Sequence, residues 1–218
     1  MAQPITFRNP CCAMGFAALN PSYNLLAGRL GSQGKRPMIE TVNLRLEPIR
    51  QDHAVLLFAP LSDAQLYALM PEEPPKSLEA LQKRYAFLQT GKSPDGKEHW
   101  LNWTIFDRRT GRPVGTFQAT VRDNSPSDVV YIVFKAHWRQ GIAREAGAGV
   151  IDHVFARYAT PMLAANMDTR NLASIKLVES LGFKRAALIP NADAFKGMAS
   201  DEYRYEMTRE NWQARGAG

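Results

Sequence analysis

Residues 129–146 read Val-Val-Tyr-Ile-Val-Phe-Lys-Ala-His-Trp-Arg-Gln-Gly-Ile-Ala-Arg-Glu-Ala, an apolar stretch, a short turn and the opening of a helix. The first N–H groups of a helix have no internal partner and sit at the positive end of its dipole, so they attract anions. Gly141 and Ala143 are small enough to let a phosphate approach that backbone. Arg139 and Arg144 can add charge, and Gln140 and Ile142 complete the turn. Such a site suits a pyrophosphate, as in coenzyme A or a nucleotide. The competing reading is a helix that begins with glycine and a basic residue for solubility alone. Dinucleotide folds fit less well, since no Gly-x-Gly-x-x-Gly follows a first strand and no Gly-x-x-x-x-Gly-Lys-Ser/Thr occurs.

A second stretch, Asn171-Leu-Ala-Ser-Ile-Lys-Leu-Val-Glu-Ser-Leu-Gly-Phe183, has the spacing of an amphipathic helix. Ile175, Val178 and Leu181 share a face, Asn171 suits the N-cap, and Gly182 suits a left-handed C-terminal cap. The two segments together resemble the acyl-CoA signature of the GNAT superfamily of N-acetyltransferases. Gly141 and Ala143 stand on the two small positions of Arg/Gln-x-x-Gly-x-Gly/Ala, and an Asn-x-x-Ser helix ending in Leu-Gly-Phe lies downstream. Trp138 departs from the general pattern but resembles the Trp-Gly-x-Gly-x-Ala form of the ribosomal-protein N-terminal acetyltransferase (Rim-type) branch. Arg139 replaces the usual glycine there. The resemblance spans about Thr41 to Trp212.

It implies direct transfer of acetyl from acetyl-CoA, as co-substrate, to a primary amine in a ternary complex. The amine must lose a proton, the oxyanion needs a donor, and the departing sulfur benefits from a proton. By the same resemblance Ile132, Val133 and Phe134 offer backbone groups to the pantetheine, and Arg139–Arg144 hold the pyrophosphate. Asn171 holds the CoA arm through its side-chain amide. The tyrosine that many GNAT enzymes use as the acid is here Val178, which cannot donate. Ser174 is therefore the candidate to hydrogen-bond the sulfur, against a role as a helix-surface hydroxyl. Tyr205 is a second candidate at the acceptor site, against simple packing, and Asp128 or Glu202 is a possible base. Relatives in this branch acetylate protein N-termini, polyamines, aminoglycosides and other small amines. A GNAT-fold module that binds acyl-CoA without catalysis is the alternative, favoured by Val178.

The elements that must position these residues follow from periodicity. A strand with Val42, Leu44 and Leu46 inward opens the pattern at Thr41. Helices are predicted over Ala54–Phe58 (capped by Asp52 and ending before Pro60), Ser62–Met70 and Ser77–Leu88. Strands follow over Trp100–Phe106, Val114–Val121 and Val129–Phe134, then a helix over Gln140–Tyr158. A strand over Met162–Ala165, a helix over Asn171–Leu181, and strands over Phe183–Leu188 and Tyr203–Met207 complete the order. Pro190–Asp201 is read as a loop. This is an α/β (α+β) arrangement: a mixed, mostly antiparallel sheet of about seven strands flanked by helices, in one domain over residues 41–214.

Residues 1–40 read as a flexible extension, rich in Gly and Pro and without period, and Met38 is a possible start. The charge of +6 divides unevenly: Arg8, Arg29, Lys35 and Arg36 face no acid within residues 1–39, leaving the remainder nearly balanced. A body so balanced presents no basic face, which argues against nucleic acid. No apolar run approaches the roughly 18 residues of a membrane span. The cysteines are the vicinal Cys11 and Cys12, and no Cys/His cluster has metal-ligand spacing. The expectation is a cytoplasmic enzyme without metal, monomeric or homodimeric.

Overall fold

The computed structural model describes residues 37–215. Strands β1 (Ile39–Glu40) and β2 (Leu44–Pro48) lead into α1 (His53–Leu61), a 3-10 turn over Ala64–Tyr67, and α2 (Leu78–Leu88). Strands β3 (His99–Asp107), β4 (Pro113–Val121) and β5 (Ser127–Val133) form a meander, followed by α3 (Ile142–Arg157). Then come β6 (Met162–Asp168), α4 (Leu172–Ser180), β7 (Lys184–Phe195), β8 (Met198–Thr208) and α5 (Arg209–Ala214). They build an eight-stranded sheet in the order β1-β2-β3-β4-β5-β6-β8-β7. Every neighbouring pair is antiparallel except β5 and β6.

Period-two alternation splits the sheet into two buried faces. Trp103, Phe117, Val129, Val133, Leu163 and Tyr205 pack with α3 and α4 in one core. Trp100 and Ile49 pack with α1 and α2 in the other, together with Phe134. The helices therefore cover opposite faces, and β5 contributes to both.

Several expectations are corrected. The sheet has eight strands because β1 adds to it, and β1 lies inside the segment read as an extension. Ile39 is buried in the core, and its Cγ2 would stand 3.2 Å from a Cβ on Gly149, so the helix glycine makes room for it. Residues 1–36, the rest of that segment, lie outside the described residues. Leu44 and Leu46 point inward as expected, but Val42 sits in the β1–β2 turn and is 85% exposed. Asp52 does not cap α1: it is itself helical in φ/ψ, and its carboxylate accepts from Arg50 Nε at 2.9 Å. Helix α1 runs through Pro60. The missing N–H leaves the carbonyl four residues back, on exposed Leu56, to water, which makes the proline tolerable in the last turn. Ser62–Met70 contains only the 3-10 turn. The loop over Pro190–Asp201 is instead a hairpin, turned at Lys196-Gly197 with φ of 51° and 77°. Ser77 caps α2 by accepting from Ala80 N–H, and Gly182 is left-handed at φ 88°, both as expected.

Glu145, in the first turn of α3, ties that helix to the sheet edge. Its carboxylate accepts from Thr41 Oγ1 at 2.5 Å, Asn43 N–H at 2.6 Å and Asn43 Nδ2 at 3.0 Å. Burial opposes its charge, but these hydrogen bonds outweigh it and hold the carboxyl below its ordinary value. A depressed carboxyl contributes stability that is present above its unfolded value and lost as pH falls through the folded one. Glu145→Gln should therefore cost about 1–3 kcal/mol at pH 7 and less under acid, as read by urea denaturation at the two pH values. An equal cost at both would show that charge plays no part.

Candidate active site

Strands β5 and β6 are parallel neighbours over only two pairs, Ser127 with Leu163 and Asp128 with Ala164. Beyond them the strands part, leaving the edge of β5 open from Val129 onward. On its other side β5 is gripped by β4. A Cβ on Gly115 would stand 2.3 Å from the Ile132 carbonyl oxygen, so only glycine permits that approach. Phe134 N–H donates to Val114 carbonyl oxygen at 2.9 Å. By antiparallel alternation, the backbone groups of Ile132 and Phe134 then face β4, and those of Tyr131 and Val133 face the gap. Of Ile132, Val133 and Phe134, the open edge thus presents Val133, with Tyr131 joining it. Trp138 Nε1 donates to Val133 carbonyl oxygen at 2.7 Å, which leaves that residue's N–H toward the gap.

The gap leads to the turn before α3. Arg139 and Gly141 are both left-handed, with φ of 61° and 78°. Helical bonding starts with Glu145 N–H to Gly141 carbonyl oxygen at 3.0 Å. The N–H groups of Ile142, Ala143 and Arg144 have no acceptor among the described residues. Helix α3 begins at Ile142, two residues later than the spacing predicts, and Gln140 instead braces the turn by donating Nε2 to Ala136 carbonyl oxygen at 3.1 Å. A Cβ on Gly141 would meet nothing within 4 Å. Arg139 and Arg144 form no ion pair among the described residues. Open space, unpartnered donors and uncommitted cations converge here, which fits an anion as large as a pyrophosphate.

Across the gap, α4 brings Ser174 to β5, with Asn171 at the helix's N-cap. Asn171 Oδ1 accepts from Ser174 N–H at 3.1 Å, the N-cap role, and its amide nitrogen has no partner among the described residues. Ser174 Oγ accepts from the Tyr131 hydroxyl at 2.8 Å. Since the tyrosine donates, the serine's own proton is free to point elsewhere. Phe117 stacks on Tyr131, with ring centroids 6.0 Å apart, and fixes the phenol in place. Burial raises the Tyr131 hydroxyl above its ordinary value, while the serine bond pulls the other way. Sequence alone does not single out Tyr131, whose only signal is a hydroxyl on the same strand face as Val129 and Val133. Val178 is buried in the core.

Tyr205 is corrected. It is fully buried on the α3/α4 face, and its hydroxyl donates to Glu179 Oε1 at 2.8 Å. A phenol committed to a helix carboxylate on that face does not line an acceptor site, and packing is its role. Asp128 is likewise committed, 2.7 Å from Arg122 Nη1, while Arg122 Nε lies 2.7 Å from Glu98. Glu202 differs. It is half-buried on the α1/α2 face of β8 and has no partner among the described residues. Burial, then the nearby charges of Asp193, Asp168 and Glu72, push its carboxyl up.

A cavity of about 100 Å³ lies on that same face, beneath α1 and α2, with Val130 and Ile132 of β5 in its wall. The β7–β8 hairpin reaches its rim, where Lys196 Nζ donates to the carbonyl oxygens of Tyr67 and Met70 at 2.5 and 2.7 Å. The gap beside β5 and this cavity thus flank one strand. Among the described residues no helix is long and apolar enough to cross a membrane.

The sequence profile of the acetyltransferase (GNAT) domain matches residues 43–184. An uncharacterized N-acetyltransferase of Bacillus subtilis, YoaA, is 25% identical over 155 residues, 70% of this chain and 86% of that protein. The fold is similar to that of the ribosomal-protein-S5-alanine acetyltransferase of Vibrio fischeri, with TM-score 0.71, 18% identity, and coverage of 81% and 99%. It is also similar to spermidine N-acetyltransferase of Vibrio cholerae in complex with CoA and spermine, with TM-score 0.69, 15% identity, and coverage of 79% and 99%.

Proposed function

The chain belongs to the acetyltransferase (GNAT) family, and on that premise we propose that it moves the acetyl group of acetyl-CoA directly to a primary amine. The observation that carries this reading is the parting of β5 from β6 beside a turn with unpartnered N–H groups. Acetyl-CoA supplies the activated acyl carbon. The turn at Arg139–Arg144 binds the pyrophosphate, and the Val133 and Tyr131 edge with Asn171 orients the pantetheine arm. Ser174 donates a hydrogen bond to the departing thiolate, which takes its proton from solvent, and Tyr131, by donating to Ser174, orients that hydroxyl. Glu202 takes a proton from the acceptor ammonium. A non-catalytic module would keep the turn and edge but would have no use for an unpartnered, partly buried carboxylate on the cavity's face of the sheet.

Initial rates of CoA thiol release with acetyl-CoA and primary amines test the reading. Glu202 must be ionised to act, and its raised carboxyl protonates at a higher pH than an ordinary glutamate. kcat/KM should therefore fall as pH drops through that raised value. Glu202→Gln should remove this acidic limb and lower kcat/KM by about tenfold, less than a positioned base often supplies because neutral amine also exists in solution. An unchanged acidic limb in the variant would take the role from Glu202. Release of thiol with no amine dependence would sink the reading as a whole.

A further inference from the structure

The β7–β8 hairpin turns on a lysine where the backbone favours other residues. Phe195 and Met198 are paired, so the turn between them is Lys196-Gly197 alone, with φ of 51° and 77°. A two-residue loop of two left-handed residues is what a type I′ turn requires, and asparagine or glycine enters its first position with less strain than lysine. The side chain explains the residue. Lys196 Nζ donates to the carbonyl oxygens of Tyr67 at 2.5 Å, Met70 at 2.7 Å and Glu72 at 3.3 Å. A lysine ammonium has three N–H donors, and these three carbonyls take them. Glu73 Oε1 stands 3.7 Å away, but its side chain is 64% exposed and adds little.

Those carbonyls belong to the segment that walls the cavity beneath α1 and α2. Tyr67, Met70, Glu72, Glu73 and Pro75 all line it. Past the 3-10 turn the segment has no helix or strand until α2 begins at Leu78, and Pro71, Pro74 and Pro75 bring it no backbone donors. Lys196 supplies bonds from outside, across 124 to 129 positions of sequence. The same hairpin leads into β8 and Glu202. After burial, the charges of Asp193, Asp168 and Glu72 push the Glu202 carboxyl up, so the loop stands within electrostatic reach of β8.

We propose that Lys196 is a positioning residue for the acceptor: it clasps the 67–75 loop to the β7–β8 hairpin and so holds the cavity wall in the form that receives the amine. The inference rests on the acetyl-transfer reading above. It takes the cavity as the acceptor's seat because Val130 and Ile132 place it against the strand whose edge faces the gap. Without the ammonium, part of the population has the wall displaced. An amine must then bind the closed fraction, which raises its apparent dissociation constant by the inverse of that fraction. The turn at Arg139–Arg144, which none of these bonds reaches, keeps its affinity.

The test uses Lys196→Met, which keeps an unbranched side chain and removes the ammonium. Lys196 sits at a hairpin tip outside both cores, so the variant should fold. Thiol release across a panel of primary monoamines, diamines and short peptides with free N-termini first identifies the amine that the wild type turns over fastest. For that amine the variant should raise KM at least about threefold, with kcat and the calorimetric affinity for acetyl-CoA unchanged. Amide hydrogen exchange within residues 65–73 should quicken about tenfold, the scale of one hydrogen bond to a charged group. Lys196→Arg, which still offers a cation and several donors, should recover most of both losses. An unchanged KM for the amine in Lys196→Met overturns the inference and spares the acetyl-transfer reading. So does a parallel loss of acetyl-CoA affinity, which would mark general loosening, or an arginine variant as impaired as the methionine one. No wild-type thiol release with any amine contradicts the acetyl-transfer reading itself. Loop exchange then judges the clasp alone, and unchanged exchange in Lys196→Met overturns it.

Discussion

Ser174→Ala should fold and bind acetyl-CoA nearly as the wild type does, yet lose about tenfold to a thousandfold in kcat and kcat/KM together. The substitution removes one hydroxyl from α4 and almost no volume. Its backbone N–H keeps the bond to Asn171 Oδ1, so the helix start stays capped. What disappears is the hydroxyl oriented by Tyr131 from 2.8 Å away. If that hydroxyl meets the sulfur only as the thioester breaks, the loss belongs to the transition state and KM for acetyl-CoA stays put. A rise in KM alone would make Ser174 a cofactor contact. Tyr131→Phe should show the same pattern at smaller size, because the serine remains but its proton is no longer directed. The double variant should lose little beyond Ser174→Ala, since the tyrosine acts through the serine. Additive losses would mean that Tyr131 works independently, through the packing against Phe117.

Gly141→Glu should weaken acetyl-CoA binding by at least about 2 kcal/mol, the scale of an uncompensated buried polar group, as measured by calorimetry. The glutamate would carry a negative charge into space where a Cβ now meets nothing within 4 Å. Because Gly141 is left-handed at φ 78°, the variant also strains the turn. Arg139→Gln and Arg144→Gln separate the two effects: neither touches Gly141, and each removes a cation that forms no ion pair within the described chain. Both should weaken binding several-fold, and more at low salt than at high salt. Undiminished affinity in folded Gly141→Glu, with no effect from either arginine, would remove the phosphate from this turn.

The parts of the site legible in sequence were those with local causes. The open turn before α3 depends on small residues at the start of a helix, and the two ends of α4 depend on Asn171 and Gly182, each acting within its own turn. What stayed hidden depends on contacts distant in sequence. Tyr131 meets Ser174 across 43 positions, and nothing in an alternating strand distinguishes it from a core aromatic. Tyr205 was misplaced for the converse reason: only the fold reveals that its face belongs to α4 and Glu179. The open edge of β5 is invisible in sequence, because it arises where two strands fail to pair. Local signals also misled where a tertiary contact competes with them. Asp52 had a capping residue's chemistry, but Arg50 claims its carboxylate. The β7–β8 hairpin looked like a loop because its residues alternate weakly and are mostly exposed, although Lys196-Gly197 marks a two-residue turn.

Direct transfer across the β5–β6 gap is tested most simply by mass in a single turnover. The chain, in excess over acetyl-CoA, is mixed with each of a panel of primary amines and peptides with free N-termini; free thiol, N-acetylated amine and intact protein mass are followed together. Thiol and acetylated amine should appear at one rate and in equal amounts, with the protein mass unchanged throughout. Thiol released without acetylated amine, or an acetyl group appearing first on the protein, would contradict transfer from acetyl-CoA to the amine within one complex.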